Sequence, residues 1–190
     1  IHDDEHAPYS GVLPHFEENF NSGVTFGTSV NNWNDSNNSG GEAWTLGSGG
    51  DISGSGQSLF ISDNGTTNSY NTSNSYSYVS IESPEINGAG RSNQVLSFEY
   101  VSEGDAGHDY GRVMYSLGVG ASLIEGGVNA PFAGQAVKKN AEILLPPDVD
   151  GTNYRLSWGW TNSATNPGGQ AGKAFEIDNI KVTEGTPGIR

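Results

Sequence analysis

Two acidic segments, one near each end of the chain, carry the residues best suited to metal chemistry. They are Phe16-Glu17-Glu18-Asn19-Phe20 and Phe175-Glu176-Ile177-Asp178-Asn179-Ile180. Because side chains alternate along a strand, Glu18 shares a face with two phenylalanines, where a carboxylate is costly unless it is paired or binds a metal. Asp178 faces away from Ile177 unless a bulge intervenes. The first and last strands of a sandwich are often neighbours, so Glu18 and Asp178 could converge on one hard cation.

Calcium is the cation that suits these residues, because Ca²⁺ takes six to eight oxygen ligands and accepts backbone carbonyls from glycine-rich loops. Glu42 and Asp63 lie in polar stretches that could supply further ligands. We therefore predict a structural Ca²⁺ held by Glu18, Asp178, Glu42 and Asp63. The alternative is that these are solvated charges at strand ends, and Asp63-Asn64-Gly65 is by itself a turn signal.

Aromatic residues in polar stretches suggest a second kind of chemistry. Trp33, Tyr70 and Tyr76 stand among Asn, Ser and Asp residues, and sugar rings stack on such side chains while polar neighbours bind the hydroxyls. Trp160 lies on an alternating stripe that is more typical of a core strand, and it is retained as a fourth ligand candidate. The alternative for the loop aromatics is that they anchor the loops to the domain.

Catalytic signatures are missing. The sequence has no Gly-x-Ser-x-Gly elbow and no His-Glu-x-x-His motif. A glycosidase pair of carboxylates is not excluded by spacing, because such pairs come from distant strands. However, the acidic stretch 103–109 is typical of a solvated loop. We predict no catalytic residue and no enzyme activity.

Charge and composition exclude several other classes. The 190 residues include 8 Lys and Arg against 22 Asp and Glu, a formal net charge of -14. This balance argues against nucleic acid as a partner, since phosphate contacts need clustered basic residues, and against an anionic membrane surface. Cysteine is absent, which excludes disulfides and thiolate chemistry. No apolar run is long enough for a transmembrane helix.

The elements that would position these residues are strands. Alternating or β-branched runs recur between Gly, Asn and Ser clusters, and no helical periodicity extends over three turns. This pattern predicts an all-β, two-sheet antiparallel sandwich of jelly-roll type with almost no helix. A leader or linker is expected over 1–14, one domain over 15–184 and a linker over 185–190. The predicted strands are Phe16–Phe20, Ala43–Leu46, Ser58–Ser62, Tyr78–Glu82, Gln94–Val101, Asp109–Leu117, Ala136–Leu144, Asn153–Thr161 and Ala174–Thr183.

In order along the chain, several of these segments resemble a known family. The similarity is to the choice-of-anchor J or cleaved-adhesin-like domains of bacterial surface proteins, which are related in architecture to MAM-type and carbohydrate-binding jelly rolls. The closing Ile-Asp-Asn-Ile strand is its most specific part. The matching segments are Phe16–Phe20, Ala43–Gly49, Gly56–Ser62, Leu96–Tyr100, Asp109–Val113, Tyr154–Trp160 and Phe175–Val182.

The resemblance implies a secreted, non-catalytic module of a larger exported protein, located outside the cell or at its surface. It also implies structural calcium, with the family's opening Glu at Glu18 and its closing acidic residue at Asp178. Asn179 departs from the second Asp of many members. Carbohydrate binding is the leading expectation. A protein-binding adhesion module is the alternative, and a glycan-active enzyme is a third.

Overall fold

The computed structural model describes residues 13–27, 32–37, 41–50, 52, 54, 56–71, 76–118, 122–124, 131–163 and 172–185. Within these ranges the regular structure is twelve strands and one short 3-10 turn, Pro147–Val149. No helix there is long and apolar enough to cross a bilayer. In chain order the strands are β1 (Phe16–Glu18), β2 (Asn34–Asn37), β3 (Ala43–Gly47), β4 (Ser58–Ser62), β5 (Ser77–Glu82), β6 (Ile86–Asn87), β7 (Gln94–Ser102), β8 (Tyr110–Ser116), β9 (Ser122–Leu123), β10 (Gln135–Leu144), β11 (Asn153–Asn162) and β12 (Glu176–Glu184).

The strands form two sheets of six. The first has the order β10-β7-β12-β4-β3, with β1 also paired to β12; the second has the order β2-β5-β11-β8-β9, with β6 also paired to β11. All named pairings are antiparallel. The predicted β-sandwich of jelly-roll type is confirmed, and β1 and β12 are neighbours as expected.

Alternating burial explains why the predicted segments are strands. In β5 every second side chain from Ser77 is buried, and β7 follows the same pattern over its first six residues. Each predicted strand is present, with ends shifted by at most two residues. The additional strands β2, β6 and β9 are short, and β2 consists of Asn-Asp-Ser-Asn, a composition that carries no strand signal.

Aromatic rings fill the space between the sheets. Trp158 of β11 is fully buried and lies 5.7 Å from Trp33 and 5.9 Å from Phe98 of β7, measured between ring centroids. Farther along the core, Phe175 stacks on Phe132 at 5.3 Å with an interplanar angle of 18°. Large rings bury more apolar area per residue than aliphatic side chains, so they compensate for a chain with only 33% hydrophobic residues.

A buried carboxylate ties loop segments to the first sheet. Glu176 Oε1 accepts hydrogen bonds from the Ile52 amide at 2.9 Å and the Ser58 hydroxyl at 2.7 Å, and Oε2 accepts one from Asn68 Nδ2 at 3.0 Å. Glu176 is fully buried. A buried charge of this kind is tolerated because its oxygens are satisfied by donors.

A bulge interrupts β12 where it crosses β7. Asp178 is opposite Glu99 and Lys181 is opposite Ser97, so β12 has one residue more than β7 between these pairs. Asn179 has a φ of 51° and is exposed. Strict alternation predicts that Asn179 faces inward like Ile177. This prediction is wrong, because the bulge turns Asn179 to solvent.

We predict that Gly111→Ala destabilises the sandwich by about 1 to 3 kcal/mol, the usual cost of overpacking a core. A Cβ at Gly111 would overlap the ring of Phe175. Urea unfolding measures the loss. Gly47→Ala is the matched control, because its Cβ would meet Phe60 at an ordinary 3.9 Å. Equal stability of the two variants would contradict the close packing.

Candidate ligand-binding site

The predicted four-residue metal site is not assembled. Glu42 is 2% exposed and lies in a network of its own, where its carboxylate accepts hydrogen bonds from Asn162 Nδ2, the Ser77 hydroxyl and the Asn71 amide. Asp63 is exposed and accepts a hydrogen bond from the Ser69 hydroxyl. Among the described residues, no three acidic or histidine side chains are placed to hold one ion. Glu42 and Asp63 are therefore reassigned to local hydrogen bonding.

Glu18 and Asp178 lie on neighbouring strands, β1 and β12. Glu18 pairs with Ile180, two residues after Asp178. Its carboxylate accepts a 2.7 Å hydrogen bond from the Phe20 amide, and it lines an open depression of about 410 Å³ together with Asn179.

Asp178 is a buried carboxylate with little local compensation. It is 4% exposed, and its Oδ1 accepts a 2.7 Å hydrogen bond from the Asn179 amide. Burial, reinforced by the neighbouring charges of Glu99 and Glu176, raises the pKa of Asp178 to about 6. A cation beside this carboxylate would favour its ionised form.

Three of the four predicted ligand aromatics are core residues. Trp33 is 1% exposed and packs against Phe20 and Trp158. Tyr70 and Trp160 are buried and meet edge to face at 5.1 Å, and burial raises the pKa of Tyr70 to about 12. A sugar cannot stack on a ring that already packs inside the sandwich. Trp33, Tyr70 and Trp160 are therefore reassigned from ligand contact to the core.

Tyr76 is the predicted ligand residue that is open to solvent. It is 64% exposed and directly precedes β5. Tyr78 follows two positions later, and the two phenols are close enough for Tyr76 to perturb Tyr78 electrostatically. Because side chains alternate along a strand, Tyr76 is in line with the outward positions of β5, such as Tyr78.

That outward face of the second sheet, which we call the tyrosine face, is the candidate site. Pairing of β11 with β5 and β8 places its side chains in cross-strand rows. Members of one row lie about 5 Å apart from strand to strand. The three rows are Tyr78–Thr161–Tyr110, Ser80–Gly159–Arg112 and Glu82–Ser157–Met114.

Gly159, which has no side chain, lies at the middle of the tyrosine face. The space above Gly159 is occupied by Tyr78, because a Cβ at Gly159 would lie 2.7 Å from the Tyr78 hydroxyl and 3.0 Å from Cε2 of its ring. The Tyr78 hydroxyl donates a hydrogen bond to Met114 Sδ at 3.3 Å. The ring therefore leans across β11 toward β8. Burial raises the pKa of Tyr78, so the phenol stays neutral at physiological pH.

Polar groups surround this ring. The Arg112 guanidinium lies 4.8 Å from the centroid of the Tyr110 ring and donates a 3.0 Å hydrogen bond to its hydroxyl. Glu82 accepts a 2.9 Å hydrogen bond from the Ser116 hydroxyl and lies 3.8 Å from Arg155 Nε. The tyrosine face thus combines half-buried rings with hydrogen-bonding groups, the combination that a polar ligand with flat apolar faces requires.

The first sheet offers depressions of a different character. Beside the depression at Glu18, a second of about 370 Å³ is lined by polar residues that include Glu99, Asn140 and Glu142. No Tyr or Trp lines either one. They lack a stacking surface, so the tyrosine face is the better candidate.

The sequence analysis missed Tyr78, Tyr110 and Arg112 as site residues. The signal was present in the alternation, because each occupies an outward position of a correctly predicted strand. The sequence analysis considered the aromatic residues of the loops instead, and two of these, Trp33 and Tyr70, pack in the core.

Comparison with solved structures finds domains of similar fold. The chain is similar to the CBM22-2 xylan-binding domain of Paenibacillus barcinonensis Xyn10C, with 14% identity over 90% of this chain and 99% of that chain and a TM-score of 0.48. It is similar to the K3 cleaved adhesin domain of Lys-gingipain from Porphyromonas gingivalis, with 12% identity over 91% and 100% and a TM-score of 0.45. The Clostridium thermocellum family 11 carbohydrate-binding module shares 18% identity over 92% and 95%, with a TM-score of 0.47.

These neighbours are of the adhesin and carbohydrate-binding classes that the sequence resembles. No family model and no curated protein sequence matches the chain. At these TM-scores the likeness carries no argument about function, which must come from the chain's own residues.

We predict that the Glu42 network makes stability depend on pH. Burial raises the pKa of Glu42 above its ordinary 4.5, so above that pH the folded protein binds more protons than the unfolded chain. The free energy of unfolding therefore falls as pH rises from about 4.5 through the raised pKa. Glu42→Gln mimics the protonated form of Glu42. In urea titrations at several pH values, the free energy of unfolding of this variant should fall less with rising pH than that of wild type, and it should be the higher of the two at pH 8. A steeper fall in Glu42→Gln would refute this.

Proposed function

We propose that the chain is a non-catalytic module that binds carbohydrate on the tyrosine face. The observation that carries the proposal is the Tyr78 ring leaning over Gly159, with Tyr110 two strands away in the same direction across the sheet. The backbones of their strands are about 10 Å apart, and the lean of Tyr78 toward β8 brings its ring nearer to Tyr110, so a short glycan can contact both rings. Sugar rings have apolar C–H faces that stack on such side chains.

The groups around the rings suit sugar hydroxyls. Glu82 already accepts a hydrogen bond from Ser116 and forms an ion pair with Arg155, and a preformed polar site loses little freedom on binding. Protein-binding adhesion remains the second candidate. It is less favoured because a protein-binding surface is usually a contiguous apolar patch, and few large apolar side chains of the described residues are exposed. They are Leu13, Tyr76, Leu117, Val137 and Leu144.

Catalysis is not proposed, for a geometric reason. Glycoside hydrolysis uses two carboxylates that flank the scissile bond. The three rows of the tyrosine face contain one carboxylate, Glu82, which already contacts Arg155 and Ser116. The proposal includes an extracellular or cell-surface setting, within a larger exported protein.

A structural Ca²⁺ is also proposed, with Asp178 and Glu18 as its carboxylate ligands. Asp178 fits the ion, because its carboxylate is buried beside the charges of Glu99 and Glu176. Lys138, whose charge partly offsets them, is paired with Glu99. Glu18 reaches the adjoining depression. Bound Ca²⁺ would neutralise the buried charge, and backbone carbonyls and water would have to supply its remaining ligands.

The glycan proposal is tested with Tyr78→Ala on a glycan array followed by calorimetry. We expect wild-type binding and a loss of about tenfold or more in affinity, because a central aromatic contact is removed. Val137→Ala, on the exposed edge strand β10, is the control and should bind like wild type. Binding unaffected by Tyr78→Ala would move the site elsewhere, and no binding to any glycan would reject the proposal.

The calcium proposal is tested by thermal unfolding in excess EDTA and in millimolar Ca²⁺. Ca²⁺ present at 100 times its Kd should add about 2.7 kcal/mol to the free energy of unfolding. Asp178→Asn should abolish this gain, whereas Asp63→Asn should keep it. An unfolding midpoint that is the same with Ca²⁺ and EDTA would reject calcium stabilisation.

A further inference from the structure

The unusual feature of the tyrosine face is its basic residue, Arg112. The chain has only 8 basic residues against 22 acidic ones, so acidic partners are abundant. In the described part of the chain the other two arginines are paired, Arg91 with Glu184 and Arg155 with Glu82. Within the same part, no carboxylate lies within 4 Å of the Arg112 guanidinium, and its neighbours are tyrosines.

Arg112 is held in place by contacts that leave its charge unneutralised. Its guanidinium stacks on Tyr110, and one of its N–H groups donates to the Tyr110 hydroxyl. A guanidinium has five N–H donors, so most remain available to a ligand. Stacking and a hydrogen bond reduce the freedom that this long side chain loses on binding.

Arg112 also lies against the proposed stacking ring. It shares a row with Gly159, over which Tyr78 leans. Its positive charge acts on the Tyr78 phenol and partly offsets the effect of burial on the pKa of that group. A sugar stacked on Tyr78 therefore places its substituents beside the guanidinium.

From this arrangement we infer that the ligand is an acidic glycan, whose carboxylate or sulfate binds Arg112 while its ring stacks on Tyr78. This inference rests on the proposed function, because it specifies the sugar class for the same face. Guanidinium matches carboxylate and sulfate geometry through two parallel hydrogen bonds, which a neutral hydroxyl cannot reproduce. The neighbouring carboxylate, Glu82, is engaged by Arg155 and Ser116, so it leaves Arg112 free for an external anion.

The inference can be tested with acidic and neutral polysaccharides, including one pair with the same backbone. Polygalacturonate is compared with its fully methyl-esterified form, heparin represents sulfated glycans, and xylan and mixed-linkage β-glucan are neutral references. We expect wild type to bind polygalacturonate or heparin at least tenfold more tightly than every neutral polysaccharide. Preference for polygalacturonate over its ester identifies a carboxylate, and preference for heparin identifies a sulfate.

The protein variants separate a specific contact from general electrostatics. Arg112→Gln should lose at least tenfold in affinity for the acidic glycan. Arg112→Lys should keep only part of the wild-type affinity, because an ammonium group cannot donate the two parallel hydrogen bonds of a guanidinium. Arg91→Gln is the matched control, since it removes the same charge from the pair with Glu184 and should bind like wild type. Thermal unfolding checks that all variants are folded.

The outcomes distinguish this inference from the function on which it rests. Two outcomes overturn the inference and leave carbohydrate binding in place. In the first, wild type binds only neutral glycans; in the second, Arg112→Gln binds acidic glycans as tightly as wild type does. An equal loss in Arg91→Gln also overturns it, because net charge would then explain the effect. Failure to bind any glycan in the panel overturns both.

Discussion

Packing of aromatic rings between the two sheets is the contact on which the rest of the molecule depends. With 33% hydrophobic residues, the chain buries most of its large rings, and Trp158 joins both sheets through Trp33 and Phe98. This use of aromatics explains why segments that look like ligand loops send Trp33 and Tyr70 inward. It also leaves the outward positions of β5 and β8 as the place where tyrosines can meet a ligand.

Buried carboxylates form the second structural theme, and they are satisfied in different ways. Glu176 accepts hydrogen bonds from three loop and strand donors, and Glu42 is held by an asparagine, a serine and a backbone amide. Asp178 has less compensation and a raised pKa of about 6. The acidic composition is therefore not only surface charge, because several of these groups connect loops to strands.

The alternation of apolar and polar residues predicted the fold well, because this two-residue repeat and the turn residues between strands are local properties of the sequence. It found the long strands but not β2, whose four polar residues pair with β5. The pairing of β1 with β12 was expected for a different reason, because the first and last strands of a sandwich are often neighbours. The site was less predictable. Alternation places Tyr78 on the outward face, but the lean of its ring depends on a glycine one strand away. Whether Trp33 faces solvent depends on how its loop packs across the sandwich, and neither of these two features follows from local pattern. The polar surroundings of Tyr76 in the sequence agree with its exposure in the fold, whereas its contact with a ligand stays a prediction.

Burial of the tryptophans has a spectroscopic consequence. The chain contains 4 Trp, and all lie within the sandwich, at exposures of 3% or less. Their emission should be blue-shifted in the folded state and should report the integrity of the core. Tyr76, Tyr78 and Tyr110 are the tyrosines near the outer surface of the second sheet, whereas Tyr115 and Tyr154 of that sheet are buried. Tryptophan emission would thus monitor the interior, and the absorbance change of tyrosines that a ligand contacts would monitor the outer face, without any added label.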